Sequence, residues 1–125
     1  EVQHRYYENQ VEADFMHEIA MNGTKSVGFD TILASGGNAT ILHYEHNNQR
    51  IEPGSLILCD LGAEWDEYSA DISRTFPSTG VYNDRQRELY EIVLKANKES
   101  IEFVRFSCCV LEILKFGFNM YSILL

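Results

Sequence analysis

The residues best suited to chemistry lie between Leu58 and Phe76, and the two that stand out are aspartates. Asp60 closes the apolar run Ser55-Leu56-Ile57-Leu58-Cys59, where an unpaired charge would be costly to bury, and Asp71 follows at an interval of 11 residues. The stretch between them carries the polar pair Asp66-Glu67 and reads as a β-hairpin over 56–62 and 68–76. In a hairpin with an even-numbered loop, cross-strand neighbours are an odd number of residues apart, so the odd interval puts Asp60 and Asp71 on one face. Like charges on one face destabilise a sheet unless something neutralises them, and a divalent cation would do so. Oxygen ligands suit Mn, Mg or Ca, and a histidine added to the set admits Zn or Co. Two ions side by side would need bridging carboxylates. Ser73, two residues after Asp71, shares its face and can hydrogen-bond a ligand from behind. Spacing alone equally allows two solvated strand aspartates with Arg74 as their counter-charge.

The elements that must position these residues follow from periodicity. Val11, Phe15 and Ile19 recur every four positions, with Ala20 on the same stripe, which predicts a helix over 6–22 stopped by Gly23. Ser26 to Ala34 carries β-type residues, Ser35-Gly36-Gly37-Asn38 is a turn, and Ala39 to Tyr44 is a short strand candidate. Residues 45–49 read as a polar loop, and Pro53-Gly54 turns the chain into the buried run 55–59. After Pro77 to Gly80, Asn83 with Gln86 three residues on forms a capping box for a helix from Asp84. Its predicted apolar face is Tyr90, Val93, Leu94, Ile101 and Val104.

At 125 residues the chain is one domain at most, and 45% apolar residues give it globular composition. The net charge of −9 argues against nucleic-acid binding and against docking on an anionic membrane. The three cysteines, Cys59, Cys108 and Cys109, form no readable disulfide framework, so a reducing, cytoplasmic compartment is expected. No signal peptide is visible in a chain that opens on Glu1. The tail from Ser107 is rich in apolar residues, but Glu112, Lys115 and Asn119 interrupt it. A membrane span needs about 20 mostly apolar residues, so packing against other sequence is expected instead.

The segment Asp60-Leu61-Gly62-Ala63-Glu64 followed by Tyr68-Ser69-Ala70-Asp71-Ile72-Ser73-Arg74-Thr75-Phe76-Pro77 resembles the pita-bread metallopeptidases, the M24-type family of Xaa-Pro aminopeptidase, Xaa-Pro dipeptidase (prolidase), methionine aminopeptidase and creatinase. Upstream, Ala34-Ser35-Gly36-Gly37-Asn38-Ala39-Thr40-Ile41-Leu42-His43-Tyr44 is similar to the substrate-side segment of the Xaa-Pro branch, Glu12 to Gly23 to the helix before it, and Gln86 to Ile101 to the helix after the hairpin. The resemblance covers roughly residues 8 to 104.

The resemblance implies an α+β fold, a partial pita-bread with a curved antiparallel sheet and flanking helices. Residues 1–106 would form the N-terminal half of the catalytic domain, and 107–125 an atypical tail. It implies a hydrolase, a dinuclear-metal exopeptidase acting on a proline-containing peptide or dipeptide, with two divalent ions (Mn, or else Co or Zn). It implies a homodimer for the full-length protein. Asp60 corresponds to the first metal-binding aspartate and Asp71 to the one that bridges both ions. His43 corresponds to a catalytic histidine that steadies the scissile carbonyl, and Ser73 stands beside the bridging ligand. A water activated by the cations would be the nucleophile. The family also uses a later histidine and two later glutamates. No histidine follows His46, and Glu112 is the one acidic residue beyond Glu102, so the chain alone is expected to be inactive. Two other readings stay open: a non-catalytic pita-bread module that binds peptides or proteins, and a creatinase-type hydrolase. Tyr44 and Trp65 are expected to pack rather than touch substrate, Cys59 to be buried filler on the opposite face, and His4, His17 and His46 to lie outside any ligand spacing.

Overall fold

The computed structural model describes residues 6–104 and Glu112, so the tail from Ser107 otherwise lies outside the described residues. The chain forms two compact units, 1–81 and 82–125. No helix among the described residues is long and apolar enough to cross a membrane.

The first unit opens with helix α1, Glu8–Met21. The Gln10 side chain accepts hydrogen bonds from the backbone N–H groups of Tyr6 and Tyr7 (2.9 and 3.1 Å), satisfying donors just ahead of the first turn. Gly23, at φ 100°, ends the helix in the left-handed conformation that favours glycine. Val11 and Ile19 are buried and Phe15 half-buried, as the four-residue spacing predicts, but Ala20 is exposed and falls off the stripe.

Five strands follow: β1 (Ile32–Ser35), β2 (Leu56–Leu61), β3 (Glu64–Trp65), β4 (Tyr68–Ser69) and β5 (Ile72–Pro77). β1, β2 and β5 form an antiparallel sheet in the order β1-β2-β5, and β3 pairs with β4. The expected strand from Ser26 is reduced to β1, with Val27 making only an isolated bridge to Ala63. Ala39 to Tyr44 is not a strand. A short 3-10 helix runs over Gly36–Thr40, and the chain then turns through His43 at φ 52°. The β-branched pair Thr40-Ile41 suggests extended backbone, but the preceding glycines permit the tighter path.

The hairpin forms as one ribbon in a single register. Asp60 pairs with Ser73, Leu61 with Ile72, Glu64 with Ser69 and Trp65 with Tyr68. At its tip Asp66 and Glu67 both have positive φ (50° and 67°), the pair of values a type I′ turn requires and one that matches the twist of the flanking strands. The ribbon is interrupted midway, at Gly62-Ala63 opposite Ala70-Asp71, where Ala70 N–H still bonds the Ala63 carbonyl (2.9 Å). Gly62 is required there: a Cβ on it would stand 1.8 Å from the Ala70 carbonyl oxygen and 2.7 Å from the Phe29 ring.

Alternation gives the main sheet two different faces. Leu33, Ile57 and Cys59 pack with Val11 and Ile51 into one core cluster, with Leu61 and Phe76 against it. Ile32, Ala34 and Tyr44 form a second cluster on the other face, with Ala39 and Leu58. In the second unit, helix α2 (Asp84–Phe103) starts at Asn83, whose side chain accepts from Gln86 N–H (2.9 Å) while Gln86 accepts from Asn83 N–H (3.1 Å). Its predicted apolar face is only partly right. Tyr90 and Leu94 are half-buried and Ala96 is buried, but Val93, Ile101 and Val104 are about half exposed or more.

Two substitutions test the ribbon. Gly62→Ala should lower unfolding free energy by about 3 kcal/mol or more, because backbone has to move to admit the methyl group. Glu67→Gly should raise it by about 1 kcal/mol by relieving the left-handed conformation. Urea denaturation of both variants beside the parent measures these opposite shifts.

Candidate metal centre

The site is built on the sheet face that does not meet α1. Asp60 follows Cys59 in β2 and so points away from the Val11–Ile57–Cys59 core. Its cross-strand partners are Ile32 on β1 and Ser73 on β5. Asp60 is half-buried, and Ser73 Oγ donates a 2.7 Å hydrogen bond to its Oδ1. That bond fixes the carboxylate's orientation from a neighbouring strand, as the parity of the sequence predicts for Ser73. Asp71 lies immediately before β5, two positions ahead of Ser73 and hence on the Asp60 side by alternation, and it is exposed to solvent.

His43 is exposed, at the tight turn after the 3-10 helix. Its neighbour Tyr44 is buried in the cluster with Ile32, Ala34 and Leu58, which belongs to the same face as Asp60. The His43 segment is therefore carried over the aspartate face and not over the α1 face. Among the described residues no group of three or more His, Cys, Asp or Glu side chains is gathered to hold a metal ion. The candidate donors are thus two carboxylates, Asp60 and Asp71, with the Ser73 hydroxyl bracing the first. Such oxygens fit part of the shell of a hard divalent cation, whose remaining donors would have to come from elsewhere.

Of the residues read as packing, Cys59 and Tyr44 are buried and Trp65 is not. Cys59 is a buried free thiol on the opposite face, and burial pushes its pKa up to about 12. It also lines a cavity of about 310 Å³ with Phe15, Leu61, Ile72 and Arg74, on the α1 side. Tyr44 is buried, but its hydroxyl is also bonded, and its ring meets His46 edge to face at 5.9 Å. Trp65 is largely exposed, its ring lying under Gly23.

What sequence reasoning missed is a polar network rooted on α1. Glu8 is 1% exposed, and its carboxylate accepts from Ser35 N–H, Ser35 Oγ, Asn38 Nδ2, Tyr44 Oη and Gln49 N–H at 2.8–3.1 Å. One turn later Glu12 accepts from Thr31 Oγ1 and from Asn47 Nδ2 (3.1 Å), and Asn47 bridges the Leu33 N–H and the Thr31 carbonyl. An acidic residue in a first helical turn suits the helix dipole whether it is buried or not, so Glu8 gave no signal of its own. Burial pushes the Glu8 carboxyl up, but the hydrogen bonds from Asn38, Gln49, Tyr44 and Ser35 outweigh it and hold the group below its usual range. Tyr44 is pushed the other way, by burial and then by Glu8 itself.

Residues 1–113 match the profile of Metallopeptidase family M24. The chain belongs to this family. It is 42% identical over 98 residues to Xaa-Pro aminopeptidase of Haemophilus influenzae, covering 78% of this chain and 23% of that protein. It is 43% identical over 95 residues to Xaa-Pro dipeptidase of Pyrococcus furiosus, covering 76% and 27%. A variant of Escherichia coli aminopeptidase P, solved in complex with substrate, superimposes with a TM-score of 0.92 at 32% identity, over 98% of this chain and 29% of that one. The fold is accordingly part of the pita-bread fold, and the chain spans about a quarter of the length of these M24 relatives.

The lowered carboxyl of Glu8 has a consequence for stability. A group whose folded pKa is depressed stabilises the fold above its unfolded pKa, and that contribution is lost as pH falls through the folded value. Thermal midpoints recorded from neutral to acid pH should fall more steeply for the parent than for Glu8→Gln. At neutral pH the variant should be the less stable by about 2 kcal/mol.

Proposed function

We propose that this chain carries part of the catalytic site of a metal-dependent exopeptidase acting on Xaa-Pro peptides or dipeptides, as the named relatives do. The single observation that best supports this is the bracing of Asp60 by Ser73 on a ribbon whose register directs Asp71 to the same side. Asp60 and Asp71 would hold the divalent ions. Mn is the first choice because all the donors are oxygens, and Co or Zn would follow if histidine from elsewhere joins. A bound divalent ion supplies Lewis acidity and a water usable as a nucleophile near neutral pH. Asp60 and Asp71 would hold it, Ser73 would orient Asp60, and His43 would steady the scissile carbonyl.

The reading carries with it a cytoplasmic location, a homodimer for the longer protein, and residues 1–106 as the N-terminal half of the catalytic domain with 107–125 outside it. Two carboxylates make a weak site, and dimetal chemistry needs a fixed pair of ions. This 125-residue chain by itself should therefore hydrolyse a Xaa-Pro dipeptide no faster than buffer containing the same metal.

Two measurements test the proposal. Titration calorimetry with Mn should detect weak binding that is lost in Asp71→Asn and falls about tenfold in Ser73→Ala; unchanged affinity in Asp71→Asn removes that residue from the site. A chimera joining residues 1–104 to the remaining length of the Haemophilus influenzae relative should turn over a Xaa-Pro peptide, and His43→Ala should cost it at least about 100-fold in kcat. A chimera that binds metal but is indifferent to His43→Ala would end the assignment of His43.

A further inference from the structure

Glu8 is tied to the segment that carries His43 at both of that segment's ends. Before it, Ser35 and Asn38 donate three hydrogen bonds to Oε1 (2.8, 2.9 and 3.1 Å). After it, Tyr44 Oη and Gln49 N–H donate to Oε2 (2.8 and 3.0 Å), and Glu8 N–H returns a bond to the Gln49 carbonyl (3.0 Å). Asn38 Nδ2 also donates to Tyr44 Oη (3.0 Å), closing the loop across its base. Ala39 and Thr40 end the 3-10 helix, where Thr40 Oγ1 donates to the Gly37 carbonyl (2.8 Å), and just beyond it Ile41 N–H donates to the Asn38 carbonyl (3.0 Å). Ile41, Leu42 and His43 are all exposed, so packing does little to hold them.

His43 also sits at φ 52°, in the left-handed region that a non-glycine residue occupies at a cost. Such a conformation persists only when its surroundings over-determine it. The surroundings here are the two pinned ends, and both converge on one carboxylate. No Lys or Arg pairs with that carboxylate among the described residues; its charge is met by hydrogen-bond donors, four of the five coming from Ser35, Asn38 and Tyr44. Charge-assisted bonds of this kind are shorter and stronger than neutral ones.

We propose that Glu8 is the positioning residue for His43: its buried carboxylate clamps Asn38 and Tyr44 together and so fixes the turn that presents the histidine on the Asp60 face. The relevance to catalysis rests on the reading of His43 given above, but the clamp itself does not. Gln at this position keeps the shape and turns an acceptor oxygen into an N–H₂ group, which then faces the donors Tyr44 Oη and Gln49 N–H.

The test is backbone ¹⁵N relaxation on the chain, because native-state order parameters do not report global stability. In Glu8→Gln the amides of Thr40, Ile41, Leu42 and His43 should drop from about 0.85 to below about 0.6, while those of β2 and β5 stay unchanged. The His43 ring protons should shift at the same time. Tyr44→Phe removes one donor and keeps the ring in its cluster, so it should give a smaller loss at the same residues, and it decides the matter if Glu8→Gln does not fold. A lowered melting temperature with unaltered order parameters at 40–43, in whichever variant folds, would reduce Glu8 to a stabilising residue and overturn the proposal. If the order parameters fall but the chimera's kcat is unaffected by Glu8→Gln, the clamp stands and the catalytic reading of His43 is what fails.

Discussion

The register of the β2–β5 ribbon is the constraint from which the rest follows. Successive strand residues point to opposite faces, so a slip of one residue would exchange the two faces completely. Asp60 would then enter the cluster of Val11, Leu33 and Ile51, and Ile57 and Cys59 would leave it. Two local features prevent this. The two-residue turn at Asp66-Glu67 fixes which residues are opposed, and Gly62 admits the Ala70 carbonyl at a distance no side chain could tolerate. The glycine is thus placed by sterics, one strand position from Leu61 and opposite the residue that leads into β5. Chemistry and architecture share this ribbon, because its apolar positions bind it to α1 and its alternate positions present Asp60 and Ser73.

A second tier of organisation starts from α1. Its apolar stripe meets one face of the sheet, while Glu8 and Glu12 reach past the edge to the segments around β1. A buried carboxylate without donors would cost several kcal/mol, so Glu8 is tolerable only because five donors converge on it. The same fact makes the members of the network depend on one another. Removing one donor leaves a charged group partly unmet, and removing the charge leaves donors facing one another. The backbone at 36–49 is thereby tied to α1 through side-chain hydrogen bonds at Asn38, Tyr44 and Gln49, which is how a turn can serve where a precise side-chain position is needed.

The sequence disclosed those parts of the fold that neighbouring residues determine. The capping box at Asn83 and Gln86, the Val11–Phe15–Ile19 stripe and the hairpin that pairs Asp60 with Ser73 all depend on spacings of a few residues, and each is found where the spacing puts it. The misreadings have a common cause in longer-range contacts. Thr40 and Ile41 look like strand residues, yet the path around His43 is set by Glu8, more than 30 residues away. Asn47 sits in a polar run that reads as a loop, and only its bonds to Thr31, Leu33 and Glu12 explain why it is buried. On α2, the residues picked as one face divide between half-buried and exposed because hydrophobicity marks a candidate surface and not whether anything covers it. Asp60, Asp71 and Ser73 were legible because one ribbon carries all three, whereas the clamp on the His43 turn leaves no mark in any local pattern.

The division between the two sheet faces also separates folding from metal chemistry. The two core clusters contain neither the Asp60 nor the Asp71 side chain. Small domains built around a structural metal place their ligands where the apo chain cannot hold together, so that metal affinity is folding energy. Here the carboxylates stand in a different situation. Asp71 is exposed, Asp60 is half-buried with a hydroxyl donor, and water can solvate both charges without penalty to the core. If Asp60 and Asp71 are ligands as proposed, the ribbon would hold them in register before an ion arrives, and the free energy of binding would go into the coordination geometry itself. Such preorganisation is what a catalytic site requires of its scaffold, and under the proposed reading it would come from the Asp66-Glu67 turn, Gly62 and the pairing of Asp60 with Ser73.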